Sequence, residues 1–282
     1  MTNSSPTGLL QKHRNRRASP AANGVFSPMP KPNGRLLHVD HVSLTFPSPS
    51  GPLRVLQDVS LGVDPGEFLS IVGPSGCGKT SLLRIMGGLL IPGAGSVMLN
   101  GEPLVSPRRD IGFVFQRANL MPWRTVLRNV TLPLEVEGVK LAEAEFRARA
   151  LLDLVGLSGN EHSHPKDLSG GMQQRVILAR ALVHNPIVML MDEPFGSLDA
   201  MTRERMNLEL LRIWDAQRKT VVIVTHSIQE AVFLSDRVLV MAPGPGRIVD
   251  EIAVPLLRPR TLSMQREEPF GLLVDRIRAA IG

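Results

Sequence analysis

One stretch, Gly73-Pro-Ser-Gly-Cys-Gly78-Lys79-Thr80, restricts the fold of this 282-residue chain more than any other. It fits the pattern G-x-x-x-x-G-K-[ST] at every fixed position. Phe68 to Val72, just before it, is a compact apolar run that reads as a buried strand. After it, Leu82, Leu83, Ile85, Met86 and Leu89 recur at helical spacing, and Gly87-Gly88 supplies a stop. A strand, a glycine-rich turn and a helix in that order aim backbone N–H groups at an anion, and the helix N-terminus adds positive potential. Gly73, Pro74, Ser75, Gly76, Cys77 and Gly78 form the turn. Lys79 is expected to reach the outer phosphates and Thr80 to hold Mg²⁺, with Ser81 next in the helix. Average residue usage yields this pattern by chance in about one chain in a hundred of this length. The bland reading of Cys77 is a small filler and the sharp one redox control by a thiol whose pKa the nearby helix N-terminus lowers; on either reading alkylation is expected to block nucleotide binding and bound ATP to protect the thiol.

Three other predicted strands end on polar residues. Ile187 to Met191 is apolar on both faces, as a buried parallel strand should be, and is followed by Asp192-Glu193. Thr220 to Thr225 ends at His226, and Ile111 to Phe115 at Gln116. Strands alternating with helices imply a parallel sheet with helices on both faces. Ligands of such sheets sit beyond the carboxyl ends of the strands. Asp192 is therefore placed to bind Mg²⁺, directly or through water, and Glu193 to orient and polarise the attacking water. His226 can meet a γ-phosphate; Gln116 can reach the metal or the water. Taken alone, Asp192-Glu193 is as often an ordinary acidic helix-entry loop, a lone His at a strand end is usually structural or solvated, and spacing says little of Gln116; it is the phosphate loop that raises them above that.

Leu36 to Phe46 and Val55 to Val63 read as strands separated by the turn-rich Pro47 to Pro52. Residues 117–167 are richer in Leu, Ala, Glu and Arg and poorer in β-branched side chains, which marks a helical insert, with Leu141 to Val155 as an amphipathic helix. Helices are expected after Ser169 and after Asp199, and Ser227 with Glu230 suggests a capping box.

The formal net charge of +6 is localised. Residues 1–35 hold Lys12, Arg14, Arg16, Arg17, Lys31 and Arg35 and no acid, so the other 247 residues carry 26 basic and 26 acidic side chains. Pro, Gly, Ser and Asn make up 16 of those first 35 residues, a composition that reads as a disordered arm. A basic arm can touch nucleic acid or anionic lipid, and an acid-free, Arg- and Ser-rich start has transit-peptide composition. The bland reading is a solvated extension. Arg16-Arg17 lacks the apolar run of an export signal. No apolar run approaches the roughly 18 residues of a spanning helix. The single cysteine excludes an internal disulfide framework and a four-cysteine zinc site.

A second glycine-rich helix start, Leu168-Ser169-Gly170-Gly171-Met172-Gln173-Gln174-Arg175, settles the family resemblance. One ATP needs one phosphate loop, so another cradle is informative. Phosphate loop, Gln116, LSGG, Asp192-Glu193, Ser197-Leu198-Asp199 and His226 follow in the order of ATP-binding cassettes. Residues 36–250 therefore resemble the cassette of ABC transporters. The resemblance implies a P-loop NTPase core of α/β class, with an antiparallel β subdomain and an inserted helical subdomain at about 117–167, followed by a tail over 251–282. That tail has an apolar stripe at Phe270, Leu273, Val274, Ile277 and Ile281, which favours packing on the body over regulation. It implies a head-to-tail dimer holding ATP between the P-loop of one subunit and Ser169, Gly170 and Gly171 of the other. Glu193 becomes the catalytic base, His226 the γ-phosphate switch, Gln116 the lever toward the membrane partner, and Asp199 the communicator across the dimer. Phe46 is the candidate adenine-stacking aromatic in a chain without tyrosine.

Pro122-Trp123-Arg124-Thr125-Val126, Asn129-Val130, Asp192-Glu-Pro-Phe-Gly-Ser-Leu-Asp199-Ala, Met201-Thr202-Arg203, Thr225-His226, Glu230-Ala231, Pro245-Gly-Arg-Ile248 and Pro259-Arg260 look like the nitrate/sulfonate/taurine-type importers; relatives with the same signatures are tied to thiamine-pyrimidine and riboflavin-type precursors, so the resemblance leaves the solute open. That implies an ATPase subunit peripheral to the cytoplasmic face of the inner membrane. Its partners would be integral permease subunits, a second copy of itself and, indirectly, an extracytoplasmic solute-binding protein; no nucleic acid is expected. An exporter's ATPase subunit and a non-transport ABC ATPase are the alternatives.

Overall fold

The computed structural model describes residues 34–49, 51–116 and 119–282. The basic arm therefore lies outside the described residues but for Gly34 and Arg35. The elements in chain order are β1 (Leu37–Phe46), β2 (Leu53–Val63), β3 (Phe68–Val72), α1 (Lys79–Met86), β4 (Ala94–Leu99), β5 (Glu102–Pro103), β6 (Ile111–Val114), α2 (Val126–Val136), α3 (Leu141–Leu154), α4 (Gly170–Leu182), β7 (Val188–Asp192), α5 (Ala200–Gln217), β8 (Thr220–Val224), α6 (Ile228–Leu234), β9 (Arg237–Ala242), β10 (Arg247–Ala253) and α7 (Glu268–Ile281).

The central sheet has the order β10-β9-β3-β8-β7-β6. Its five inner and far strands, β9 to β6, are parallel, with Ile71 opposite Val224 and Val114 opposite Met191. The edge strand β10 departs from the all-parallel expectation and runs antiparallel to β9. It is reached by the short turn at Pro243 to Gly246, and a turn that short can only reverse the chain.

Continuous apolar runs in these strands serve two cores at once, because successive side chains point to opposite faces. Phe68, Met189, Met191, Val221, Ile223, Val238 and Val240 face one core, shared with α4 through α7. Leu69, Ile71, Val188, Leu190, Val222, Val224, Leu239 and Met241 face the other. The second core differs from the expectation of helices on both faces. It is closed by α1 together with a four-stranded antiparallel sheet, β2-β1-β4-β5. That sheet is apolar on one face only. Leu37, Val39, Val42 and Leu44 point inward, and the odd step between Val39 and Val42 is absorbed by a bulge at which His41 has φ 47°. His41 Nδ1 and Asp58 Oδ1, 2.6 Å apart, clasp the two strands there.

Helices α2 and α3 are inserted between β6 and α4 and extend the first core through Val126, Val130, Leu134, Ala144, Ala148 and Leu152. Leu89, expected on the apolar face of α1, lies beyond its Gly87 cap and is 44% exposed. In α7, Phe270, Val274 and Ile277 are buried in the first core. Among the described residues no helix is long and apolar enough to cross a membrane.

Candidate functional site

Because β3, β6, β7 and β8 are parallel, their carboxyl ends fall on one edge of the sheet. From β3 the chain enters Gly73 to Gly78 and then α1, whose first residue is Lys79. The loop needs glycine for space. A Cβ on Gly73 would lie 2.5 Å from the Met241 carbonyl oxygen, and one on Gly78, at φ +96°, would lie 2.7 Å from Leu56 Cδ2. No ordinary side chain tolerates either contact, so the backbone itself lines the cradle. Lys79 is 6% exposed and its Nζ donates to the carbonyls of Gly73 and Pro74 at 2.8 and 2.9 Å. That holds the ammonium against the loop itself. Cys77 is 1% exposed, with Sγ 3.9 Å from Lys79 Nζ. The burial favours the filler reading and argues against a readily alkylated thiol.

Thr80 Oγ1 donates to Asp192 Oδ1 at 2.9 Å, joining the first turn of α1 to the end of β7. Burial raises the Asp192 carboxyl above its usual range, while the Thr80 hydroxyl pulls it back. Among the described residues no cluster of three or more His, Cys, Asp or Glu could hold a metal. A hydroxyl and one carboxylate oxygen nevertheless suit Mg²⁺, which keeps waters and takes phosphate oxygens for the remainder of its octahedron.

Glu193 follows Asp192 in a left-handed conformation, φ 43°, fixed by its N–H donating to the Val224 carbonyl at 2.9 Å. Glu193 Oε2 accepts from Gln116 Nε2 at 3.0 Å and lies 3.3 Å from His226 Nδ1. Three strand ends thus converge on one carboxylate. Beneath it, Gln174 of α4 is 4% exposed and its Nε2 donates to the Pro194 carbonyl. Sequence reasoning quoted Gln174 only as part of a motif; its burial is what reveals a support for the Glu193 turn.

Ser169, Gly170, Gly171 and Asp199 gather elsewhere. Ser169 caps α4, its Oγ accepting from Met172 N at 3.3 Å, and Asp199 caps α5, its Oδ1 accepting from Thr202 N at 3.0 Å. The Thr202 bonds hold the Asp199 carboxyl below its usual range. A Cβ on Gly170 would meet only Leu198 Cδ2, at 3.3 Å, and one on Gly171 only Thr202 Cγ2, at 3.1 Å. The helix start therefore adjoins the Asp199 turn, and no atom of residues 73–80 lies within 4 Å of either glycine's Cβ. Phe46, at the end of β1, is 38% exposed and pairs with Leu53, two residues from the Val55 that touches Gly78.

The capping box expected at Ser227 is half formed. Ser227 Oγ accepts from Glu230 N at 3.3 Å, but the Glu230 carboxylate turns inward to Thr225, Arg203 and Asn207. Nothing in the sequence pattern separates that buried carboxylate from an ordinary helix-start glutamate.

A phosphate loop after β3, an acidic pair closing β7 and a helical insert ahead of α4 define the class, a P-loop ATPase built as a cassette. The sequence profile of the ABC transporter family matches residues 56–196. Over 240 residues the chain is 44% identical to the nitrate import ATP-binding protein NrtD of Synechococcus elongatus, covering 84% of this chain and 88% of that one. Over 220 residues it is 45% identical to the taurine import ATP-binding protein TauB of Roseobacter denitrificans, covering 78% and 82%. It also superposes, with a TM-score of 0.69 and 35% identity, on a dimeric ATP-binding cassette in a post-hydrolysis state bound to ADP and Pi, covering 78% of this chain and all of that one. The chain belongs to the ABC transporter ATP-binding family; it binds and hydrolyses ATP.

Proposed function

We infer that this chain is the ATP-hydrolysing subunit of an importer for a small solute of the nitrate or taurine kind, acting on the cytoplasmic face of the membrane through a separate permease. Its similarity to NrtD and TauB supports the import reading. The geometry of the site supports a role for each residue. Gly73 to Gly78 and Ser81 receive the phosphates, Lys79 neutralises the outer ones, and Phe46 offers a face for the base. Thr80 and Asp192, with Gln116 in reach, would hold Mg²⁺, which supplies charge neutralisation at the phosphoryl oxygens. Glu193 accepts a proton from the attacking water while Gln116 and His226 keep its carboxylate in place. His226, whose side chain is 52% exposed, is free to present its other ring nitrogen to the γ-phosphate.

Ser169, Gly170, Gly171 and Asp199 complete the partner subunit's site. This is supported by their position on a helix start that contacts the Asp199 turn rather than their own phosphate loop. Trp123, 73% exposed on a loop pinned by Asn129, is the anchor we assign to the permease contact.

The observation that carries the hydrolytic reading is the Glu193 carboxylate held between Gln116 and His226. Glu193→Gln removes the base and keeps the shape. It is expected to lower ATP turnover about a hundredfold or more while ATP binding stays within a fewfold of the parent. The measurement is steady-state phosphate release beside equilibrium nucleotide binding. Turnover at the parent rate would sink the assignment of Glu193 as base.

A further inference from the structure

The motif Pro245-Gly-Arg-Ile248 spans the turn from β9 into β10. Within it Gly246 is buried, and its backbone pairs with β2 on both sides of Leu56. Its N–H donates to the Val55 carbonyl at 2.9 Å, and its carbonyl accepts from the Gln57 N–H at 3.0 Å. Leu56 and Gly246 thus form an isolated parallel bridge. The bridge stitches the four-stranded sheet to the turn that opens the edge strand of the six-stranded one.

The phosphate loop lies against both partners of this bridge. A Cβ on Gly246 would collide with the Cys77 carbonyl oxygen and come within 3.0 Å of Met241 Cε. Gly246 has no positive φ, so glycine is there for space and not for conformation. The obstacle is backbone, which cannot swing aside as a side-chain tip can. On the other side, Val55 and Leu56 close on Gly78. A Cβ there would lie 3.0 Å from the Val55 carbonyl oxygen and 2.7 Å from Leu56 Cδ2. Met241, at the end of β9, backs Gly73 at the start of the loop and pairs with Ile248 of β10. The loop is therefore seated on Met241, Gly246 and the Val55-Leu56 step, three backbone segments joined by ladder bonds. Two residues before Val55, Leu53 of the same strand pairs with Phe46.

We propose that Gly246 is a positioning residue for nucleotide binding, the seat that fixes the phosphate loop and keeps it in register with β2. Any side chain at this position displaces one of two things. Either the Cys77 carbonyl moves, and with it the N–H groups of the loop, or the turn moves, and with it the two bonds to β2. A loop containing Gly73, Gly76 and Gly78 has little packing of its own, so the aim of its N–H groups comes from what supports it. Such a support acts on bound substrate and transition state alike. It is therefore read in nucleotide affinity and not in turnover at saturation. The proposal rests on Gly73 to Gly78 as the phosphate site and is independent of the import reading.

The test uses the full chain. Gly246→Ala is expected to weaken equilibrium ATP binding about tenfold or more and to leave kcat at saturating ATP within about threefold of the parent. Gly244→Ala is the control. It burdens the same turn, at φ +23°, with a Cβ that meets nothing within 4 Å. A lowered Tm is expected there, with ATP affinity within about twofold of the parent. Amide exchange of the parent, with and without saturating ADP, needs no variant and decides the matter if Gly246→Ala does not fold. Bound ADP should slow exchange at the Gly246 and Gln57 N–H groups in step with residues 76–80, although neither belongs to the loop. The proposal is overturned by parent-like ATP affinity in Gly246→Ala, by equal losses in the two glycine variants, by a fall in kcat with affinity unchanged, or by protection that stops at the loop. Lys79→Ala separates it from the reading beneath it. Parent-like ATP affinity in Lys79→Ala would sink the phosphate-site assignment itself. Lost binding there, beside a parent-like Gly246→Ala, would sink only the seat.

Discussion

Gly78 shows how a single residue carries both backbone and chemistry. Its φ of +96° is unfavourable for any other residue, and its missing side chain admits Leu56 and Val55 from the neighbouring sheet. Gly78→Ala is expected to cost about 1–3 kcal/mol of stability by forcing that conformation. It should weaken nucleotide binding more than stability alone explains, since the N–H groups would lose their aim; chemical denaturation and nucleotide titration on the same sample separate the two effects. Glu230 makes a different residue-scale point. Burial raises its carboxyl above the ordinary 4.5, opposed by Thr225, Arg203, His226 and Asn207. The folded protein therefore holds this proton more tightly than the unfolded chain. The stability due to it is fully present below pH 4.5 and is lost as pH rises through the folded pKa. Glu230→Gln removes the titration. The stability of the parent relative to this variant should fall with rising pH above 4.5, read as the difference in Tm between the two proteins. A difference independent of pH would refute the argument.

At the scale of elements, the loop and helix that open the insert depend on one buried amide. Asn129 in α2 is fully buried; its Oδ1 accepts from Met121 N at 2.7 Å and its Nδ2 donates to the carbonyls of Met121, Arg124 and Thr125. Asn129→Ala leaves several of these groups without partners and is expected to cost about 2–3 kcal/mol. Amide exchange around Met121 should accelerate before the sheet core loosens; uniform exchange across both would contradict a local role. The helix α2 that carries this residue was not marked by pattern. Val126, Val130, Thr131 and Val136 are poor helix formers, and Pro133 lies within it. Tertiary burial of Val126, Val130 and Leu134 overrides those preferences. By contrast β3, β7 and β8 were legible, because a strand buried on both faces must be apolar almost throughout, and each of these is buried at every position with a single polar residue, Ser70, Asp192 or Thr220. The small antiparallel sheet was only half legible. β1 and β2 show in the pattern, but β4 and β5 are short and partly exposed, with little periodicity to read.

For the whole molecule, one chain brings together Thr80, Asp192, Glu193, Gln116 and His226, and sets Ser169 and Asp199 apart from them. A complete site in two copies follows if each helix start faces the other's phosphate loop. Ser169→Glu would place a carboxylate against the partner's γ-phosphate. In the Glu193→Gln background it is expected to bind ATP as a monomer with unchanged affinity and fail to form the ATP-dependent dimer, measured by light scattering. Dimerisation equal to that of the background variant would count against the shared site. The sequence by itself determined the phosphate loop, the acidic pair at the end of β7, the LSGG helix start and hence the family, because each is a local arrangement of backbone and side chain that only a few residue types can form. Tertiary structure alone decided which residues meet. The Gln116–Glu193–His226 cluster spans strand ends far apart in the chain, and the inward turn of Glu230 and the buried, unpartnered donors of Arg260 and Trp214 come from packing among α5, α6 and the segment after β10. Local pattern fixes what a segment can be; long-range burial fixes which polar groups lose water, and so which ones must find a partner.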